Sequence, residues 1–223
     1  VISQPDRRSK RRTSAEPSYV ASVAEKNGIN VYKPQNLDES FKETILQLKF
    51  DILLVAAYGK ILPEWLLKTP SKDSINIHYS LLPKYRGASP IQSALLNGEK
   101  MTGISIMRMT AGLDEGPVFV FHTQEILNSD NKNTLEKKLT YLSIKNIEKD
   151  LSNIYLDKIV PIKQDVKNIS YCKKIDKLSG RINFDQEVAD NILRKFKAYY
   201  GWPGLYFEWK DLKIKIHGIA INK

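Results

Sequence analysis

Asp51-Ile-Leu-Leu-Val-Ala-Ala57 is apolar from its second residue onward, with no alternation of polar and apolar positions. A strand with one wet face alternates, whereas a short, uniformly apolar run reads as a parallel strand covered on both faces. Upstream, Asp38 is placed to cap a helix carrying Phe41, Ile45 and Leu48 on one side. Before it, residues 29–32 read as a short strand, and residues 17–27 as a helix with Pro17 in its first turn. That helix has Val20, Val23 and Ala24 as its apolar stripe and Gly28 just past its end. Val1-Ile2 reads as the tail of a buried strand that stops at Gln4-Pro5-Asp6, and because Val1 is not a start methionine, the natural N-terminus is expected further upstream.

Downstream the alternation continues. A short helix at residues 63–68 precedes a strand at 74–79, and a further helix is opened by Ser89-Pro90 and closed by Gly98. Residues 103–109 and 118–126 read as strands, and Asn133-Thr-Leu-Glu136 as a capping box for a long helix reaching about residue 152. Strands separated by helices predict an α/β layer fold with a mainly parallel sheet and helices on both faces. Ligands of such folds bind beyond the carboxyl ends of the strands. From 157 to 181 the periodicity fades and lysines accumulate, which predicts a linker running over the surface. The expected organisation is therefore a domain at 1–156, a linker at 157–181 and the start of a second domain at 182–223. In that last segment Asp185 would cap a helix with Val188, Ile192, Leu193 and Phe196 inward, and residues 205–209 and 212–216 alternate about Lys210-Asp211 as a hairpin. A lone hairpin is marginal, so this domain reads as incomplete.

The 35 Lys and Arg against 25 Asp and Glu leave a net charge of +10, which favours polyanionic partners such as nucleic acid. Cys172 is the only cysteine, which excludes an internal disulfide and, with three scattered histidines, a zinc cluster of thiolates and imidazoles. No apolar run approaches the roughly 20 residues of a membrane-spanning helix, and no signal-peptide core precedes the first charges. A reducing, cytosol-like compartment is expected.

Chemistry concentrates in Ile75-Asn-Ile-His-Tyr-Ser-Leu-Leu-Pro-Lys-Tyr-Arg-Gly87, where strand alternation sends Asn76 and His78 to one side and Ile75 and Ile77 to the other. An isolated Asn-x-His is more often a buried histidine satisfied by a carbonyl than a site. Gly112-Leu-Asp-Glu-Gly116 changes the balance, because two glycines permit a tight loop that pushes the carboxylate of Asp114 forward. An amide, an imidazole and a carboxylate together can donate to an oxyanion, accept a proton from an amine and return it to a leaving nitrogen. Arg7-Arg-Ser-Lys-Arg-Arg12 holds five cations in six residues, suited either to phosphate contacts or to a solvated arm. Lys213 and Lys215, on the outer face of the hairpin, extend that charge or guard an edge strand. His122 and His217 match no motif.

Asn76-x-His78 followed by Ser80-Leu-Leu-Pro83, Arg86-Gly87 and Gly112-Leu-Asp-x-Gly116 resembles the signature of the folate-dependent formyltransferases. Gln4-Pro-Asp-Arg7, Val55-Ala-Ala-Tyr-Gly59, Ile61-Leu-Pro63 and Ala88-Ser-Pro-Ile-Gln92 are most similar to the branch acting on methionyl-tRNA. The resemblance spans nearly the whole chain. It implies a Rossmann-like domain lacking its N-terminal strand, helix and strand, followed by the start of a small OB-like β-barrel. It further implies that Asn76 and His78 contact the formyl oxygen and the amine, and that Asp114 orients His78. Ser80, Leu81, Leu82 and Pro83 would line the folate site, with Tyr58, Gly59, Ile61 and Leu62 bordering the pterin. Arg7, Arg8, Lys10, Arg11 and Arg12 would grip the initiator methionyl-tRNA. The implied donor is 10-formyltetrahydrofolate, no metal is required, and a monomer in bacterial cytosol or an organelle matrix is expected. Tyr79, Glu115 and Pro117 depart from the commonest form of these motifs. Two alternatives stay open: transfer to a small amine such as a ribonucleotide or amino sugar, which would share Asn76, His78 and Asp114, and an RNA-binding module without turnover.

Overall fold

The structure is a computed structural model that describes residues 1–8 and 15–220. The chain forms two compact units, Val1–Ser74 and Ile75–Lys223.

The first unit opens on Ile2, which bridges in parallel to Tyr32, as expected of a strand tail; Tyr32 donates to the Val1 carbonyl at 2.8 Å and receives its own bond from Ser3 at 2.9 Å. Strands β1 (Arg7–Arg8) and β2 (Ala15–Glu16) form a small antiparallel ribbon. Helix α1 (Tyr19–Lys26) starts later than expected, because the Ser18 hydroxyl accepts the Ala21 N–H and supplies the cap. Its buried residues are Ala21 and Ala24, while Val20 is 57% exposed and Val23 also lies outward. The small side chains, not the larger valines, form the packed face. Helix α2 (Glu39–Leu46) is capped by Asp38 as predicted and buries Ile45. The Asp38 carboxylate sits below its ordinary range, held there first by the Ser40 hydroxyl and then by the Phe41 N–H. Strand β3 (Ile52–Val55) and the short helix α3 (Glu64–Leu67) follow.

Strand β4 (Asp73–His78) begins on the last two residues of the first unit and runs on into the second. There it pairs antiparallel with β6 (Met101–Arg108), which pairs antiparallel with β7 (Val118–Glu125). Residues 109–117 are too few to carry a crossover helix, so β6 and β7 can only form a hairpin and the sheet is mixed. Between β4 and β6 lie β5 (Arg86–Gly87) and helix α4 (Pro90–Leu96), with Pro90 in its first turn and Gly98 in the left-handed region beyond its end. The long helix α5 (Lys132–Tyr155) is present, but its capping box is Asn131 with Thr134, two residues before the expected one. Among the described residues no helix is long and apolar enough to cross a membrane.

Within residues 157–181 the chain is more than a surface connection. Ile162 pairs with Val118 through two 2.8 Å backbone bonds, and β8 (Tyr171–Cys172) pairs in parallel with β5. Helix α6 (Ala189–Ala198) packs on α4 and starts four residues after Asp185. Asp185 does not cap it, because the Asn183 carbonyl first turns the chain by accepting the N–H groups of Gln186 and Glu187. Val188 is exposed at the cap position instead of inward. Strands β9 (Leu205–Trp209) and β10 (Leu212–Ile216) form the predicted hairpin about Lys210-Asp211. On it Lys213 lies over the Tyr206 ring at 3.3 Å, a cation–π contact that gives this lysine a local partner.

Candidate active site

His78 ends β4, buried with 5% of its surface exposed. Its Nε2 lies 2.9 Å from the Tyr85 carbonyl oxygen. A carbonyl only accepts, so Nε2 carries a proton, and Nδ1 is the ring nitrogen left to bear a lone pair. Nδ1 faces Asp114 Oδ2 at 3.6 Å, beyond hydrogen-bond range but within ion-pair distance once the ring is protonated. The strand-end histidine and the loop carboxylate predicted from sequence are thus brought together. Asn76, two residues earlier on the same side of β4, is half-buried opposite Met107, and its side chain makes no hydrogen bond among the described residues.

His78 and Asp114 are held by backbone devices. Asp114 has φ +48°, a left-handed conformation, and its Oδ2 accepts the Gly87 N–H at 2.8 Å. Gly116 closes the loop because a Cβ there would lie 1.9 Å from the Arg108 carbonyl oxygen. Gly87 has φ +116°, and a Cβ on it would meet the Cys172 carbonyl at 2.5 Å, so only glycine lets the N–H that holds Asp114 approach β8. Tyr85, which supplies the carbonyl for His78, is itself left-handed at φ +59°. Its phenol donates to Glu99 at 2.7 Å, its N–H donates to the Ser170 hydroxyl at 2.9 Å, and burial followed by the Glu99 contact pushes the phenol well above its ordinary range.

The segment after His78 is inward-facing. Ser80 is fully buried and donates to the Lys84 carbonyl at 2.6 Å, and its own carbonyl accepts the Ser105 hydroxyl, which also receives the Leu82 N–H at 3.0 Å. Leu82 packs with Met107 and Val118, and Leu81 lies against the Gly103 backbone. These contacts fix the conformation of Ser80, Leu81, Leu82 and Pro83 directly after β4. Tyr58, Gly59, Ile61 and Leu62 belong to the first unit. There Gln4 donates to the Tyr58 carbonyl at 2.8 Å, the Tyr58 hydroxyl is buried without a partner among the described residues, and Ile61 lines a cavity of about 340 Å³ with Gln35, Leu37 and Lys60. Of the basic run, Arg7 and Arg8 lie on β1, whereas Lys10, Arg11 and Arg12 lie outside the described residues.

Three contributors were not assigned from sequence. Arg86 is buried, and its Nε and Nη2 donate to Gln164 Oε1 at 3.1 and 2.8 Å; Gln164 Nε2 donates to the carbonyls of Asp114 and Gly116 at 2.8 and 2.7 Å. Ser170 holds Tyr85. Gln164 and Ser170 stand where periodicity has faded, and nothing local marks them as site residues. Away from this site, His122 pairs with the buried Asp150 at 2.7 Å, tying β7 to α5.

Comparison with known proteins adds to this geometry. The sequence model described as formyl transferase matches residues 1–149, and that described as formyl transferase, C-terminal domain, matches 174–223. The methionyl-tRNA formyltransferase of Caldicellulosiruptor saccharolyticus is 40% identical over 225 residues, covering 100% of this chain and 71% of that protein. The protein of the same name from Nitratiruptor sp. is 42% identical, covering 96% of this chain and 70% of its own. Among solved structures, a sugar N-formyltransferase from Shewanella sp. superposes with a TM-score of 0.75 at 19% identity, covering 93% of this chain and 82% of that one. HypX from Aquifex aeolicus in complex with tetrahydrofolic acid gives 0.68 at 17% identity, covering 85% of this chain and 33% of its own. These two likenesses concern the fold.

Proposed function

The chain belongs to the formyl transferase family, and we propose that it moves a formyl group from 10-formyltetrahydrofolate to the amino group of the methionine carried by initiator tRNA. The observation that carries the reading is the buried His78, with Nε2 committed to the Tyr85 carbonyl and Nδ1 turned toward Asp114. The identity with methionyl-tRNA formyltransferases along the whole chain supports the acceptor. The net charge of +10 and the run Arg7 to Arg12 support a polyanionic one. The folate serves as carrier of the one-carbon unit. An external carrier fits the side chains present: the thiol nearest the site, Cys172, donates to the Tyr85 and Arg86 carbonyls and is pushed up by burial, so it is no nucleophile. The buried Tyr58 hydroxyl, unpartnered among the described residues, supports a polar ligand at the segment assigned to the pterin.

In this reading the methionyl amine attacks the formyl carbon, the new C–N bond forms and the bond from that carbon to the folate nitrogen breaks. Asn76, as an amide donor, stabilises the charge developing on the formyl oxygen. His78 takes the amine proton on Nδ1, the only ring nitrogen with a free lone pair, and passes it to the departing nitrogen. Asp114 holds the resulting imidazolium as an ion pair across the 3.6 Å gap. In the same reading residues 157–181 link a catalytic domain at 1–156 to the start of a second domain at 182–223, and the protein acts as a monomer in a cytosol-like compartment.

The test uses the full-length protein. Asp114→Asn and His78→Ala should each lower formyl transfer to methionyl-tRNA by about 10²–10⁴-fold, the usual range for a lost acid–base group, with tRNA binding nearly unchanged. Normal turnover in either variant removes the catalytic assignment. Preferred transfer to glycinamide ribonucleotide or an amino sugar over methionyl-tRNA moves the acceptor to the small-amine reading.

A further inference from the structure

Arg86 is a buried cation, and no carboxylate among the described residues pairs with it. Its polar partner is the neutral Gln164 amide, with the Tyr171 ring 6.0 Å away. Withdrawing a charge from water without a counter-ion costs several kcal/mol, so the arrangement is unfavourable for stability taken alone. It has a directional consequence instead. Two bonds from the guanidinium to Oε1 draw electron density from the amide and sharpen its N–H₂ group as a donor. Both N–H bonds of that group end on the Asp114 loop, one on the Asp114 carbonyl and one on the Gly116 carbonyl. The loop they grip is the one whose left-handed Asp114 must aim Oδ2 at His78 Nδ1 and at the Gly87 N–H.

We infer that Gln164 is a positioning residue, polarised by Arg86, that clamps the backbone of the Asp114 loop so that the carboxylate faces the imidazole. The inference rests on the reading of His78 and Asp114 as the catalytic pair. Gln164 reaches the site from the segment between the two family-matched regions, so the connection between domains supplies part of the catalytic support. The carbonyls it holds are two residues apart, which anchors the Asp114–Glu115 and Gly116–Pro117 peptide planes and so restrains the backbone of the loop directly after Asp114. A displacement of about 1 Å at such a position costs on the order of a hundredfold in rate.

Two substitutions in the full-length protein separate positioning from general support. Gln164→Met keeps the volume and removes both donors. Gln164→Glu keeps a partner for Arg86, and so the fold, but presents oxygens to the Asp114 and Gly116 carbonyls. Each should lower kcat by about tenfold to a hundredfold, the range for residues that orient catalytic groups, while KM for folate and for methionyl-tRNA and the melting temperature of Gln164→Glu stay within twofold and a few degrees of the parent. In an Asp114→Asn background, measured under single-turnover conditions, Gln164→Met should have no further effect. A normal kcat in Gln164→Glu, or full additivity with Asp114→Asn, overturns the inference. If Asp114→Asn alone turns over normally, it is the catalytic reading that has failed, so the two failures are distinguishable.

Discussion

Cys172 is the one thiol of the chain, and its surroundings make it a poor nucleophile despite its place beside Asp114. Burial is the largest influence raising its pKa, and the Asp114 carboxylate adds to it. A raised thiol pKa means less thiolate at any given pH below it, so alkylation should be slow near neutrality and accelerate only above the ordinary range of about 8.5. Iodoacetamide should therefore modify the native protein at pH 8 at least several-fold more slowly than it modifies free cysteine, followed by mass spectrometry. Equal rates would contradict the buried placement. At this scale the site was half readable in the sequence. Asn76 and His78 share a side because strand alternation is strict, and Asp114 declared itself by its flanking glycines. Gln164 and Ser170 did not, since a side chain that supports a site through hydrogen bonds from a distant loop leaves no periodic trace.

Among the secondary elements, α5 shows most clearly how polar contacts set a boundary. Asp130, 3% exposed, accepts the Leu127 N–H at 2.8 Å, the Thr134 hydroxyl at 3.0 Å and the Lys138 ammonium at 2.6 Å just ahead of the helix. Burial alone would raise this carboxyl, but the Lys138, Leu127 and Thr134 bonds together outweigh it and hold it below its ordinary value. A carboxyl depressed in the folded state contributes stability above the unfolded value of about 3.9 and loses it as pH falls through the folded pKa. Asp130→Ala should thus cost about 2–3 kcal/mol at pH 7 by denaturant titration, and the penalty should shrink toward pH 3. A penalty independent of pH would assign the effect to packing. The same element explains why the cap was misplaced from sequence: Asn131 and Asn133 both carry capping side chains, and only the Asp130 cluster decides which one turns extended. In α1 the face was misjudged because valines outweigh alanines on any hydrophobicity count, whereas close packing selects the smaller side chains.

For the molecule as a whole, the +10 charge is the feature that composition alone revealed and that the fold does not neutralise. If Arg11 and Arg12 contact phosphates, replacing both by alanine should weaken methionyl-tRNA binding and flatten the plot of log affinity against log salt by roughly 0.7–0.9 per lost contact. An unchanged slope would remove these two side chains from the interface. The alternation of strands and helices made the α/β class readable, while the antiparallel β6–β7 hairpin made the sheet mixed because its connection is short. One arrangement carries beyond the finished protein. Strand β8, which pairs with β5, and the Gln164 amide both come from chain that is synthesised some 50 to 85 residues after the groups they steady. On the ribosome, the bonds of His78 to Tyr85 and of Asp114 to Gly87 have their partners early, but the loop clamp and the ladder must wait for that later stretch, so full support of the site is a late event in the birth of the polypeptide.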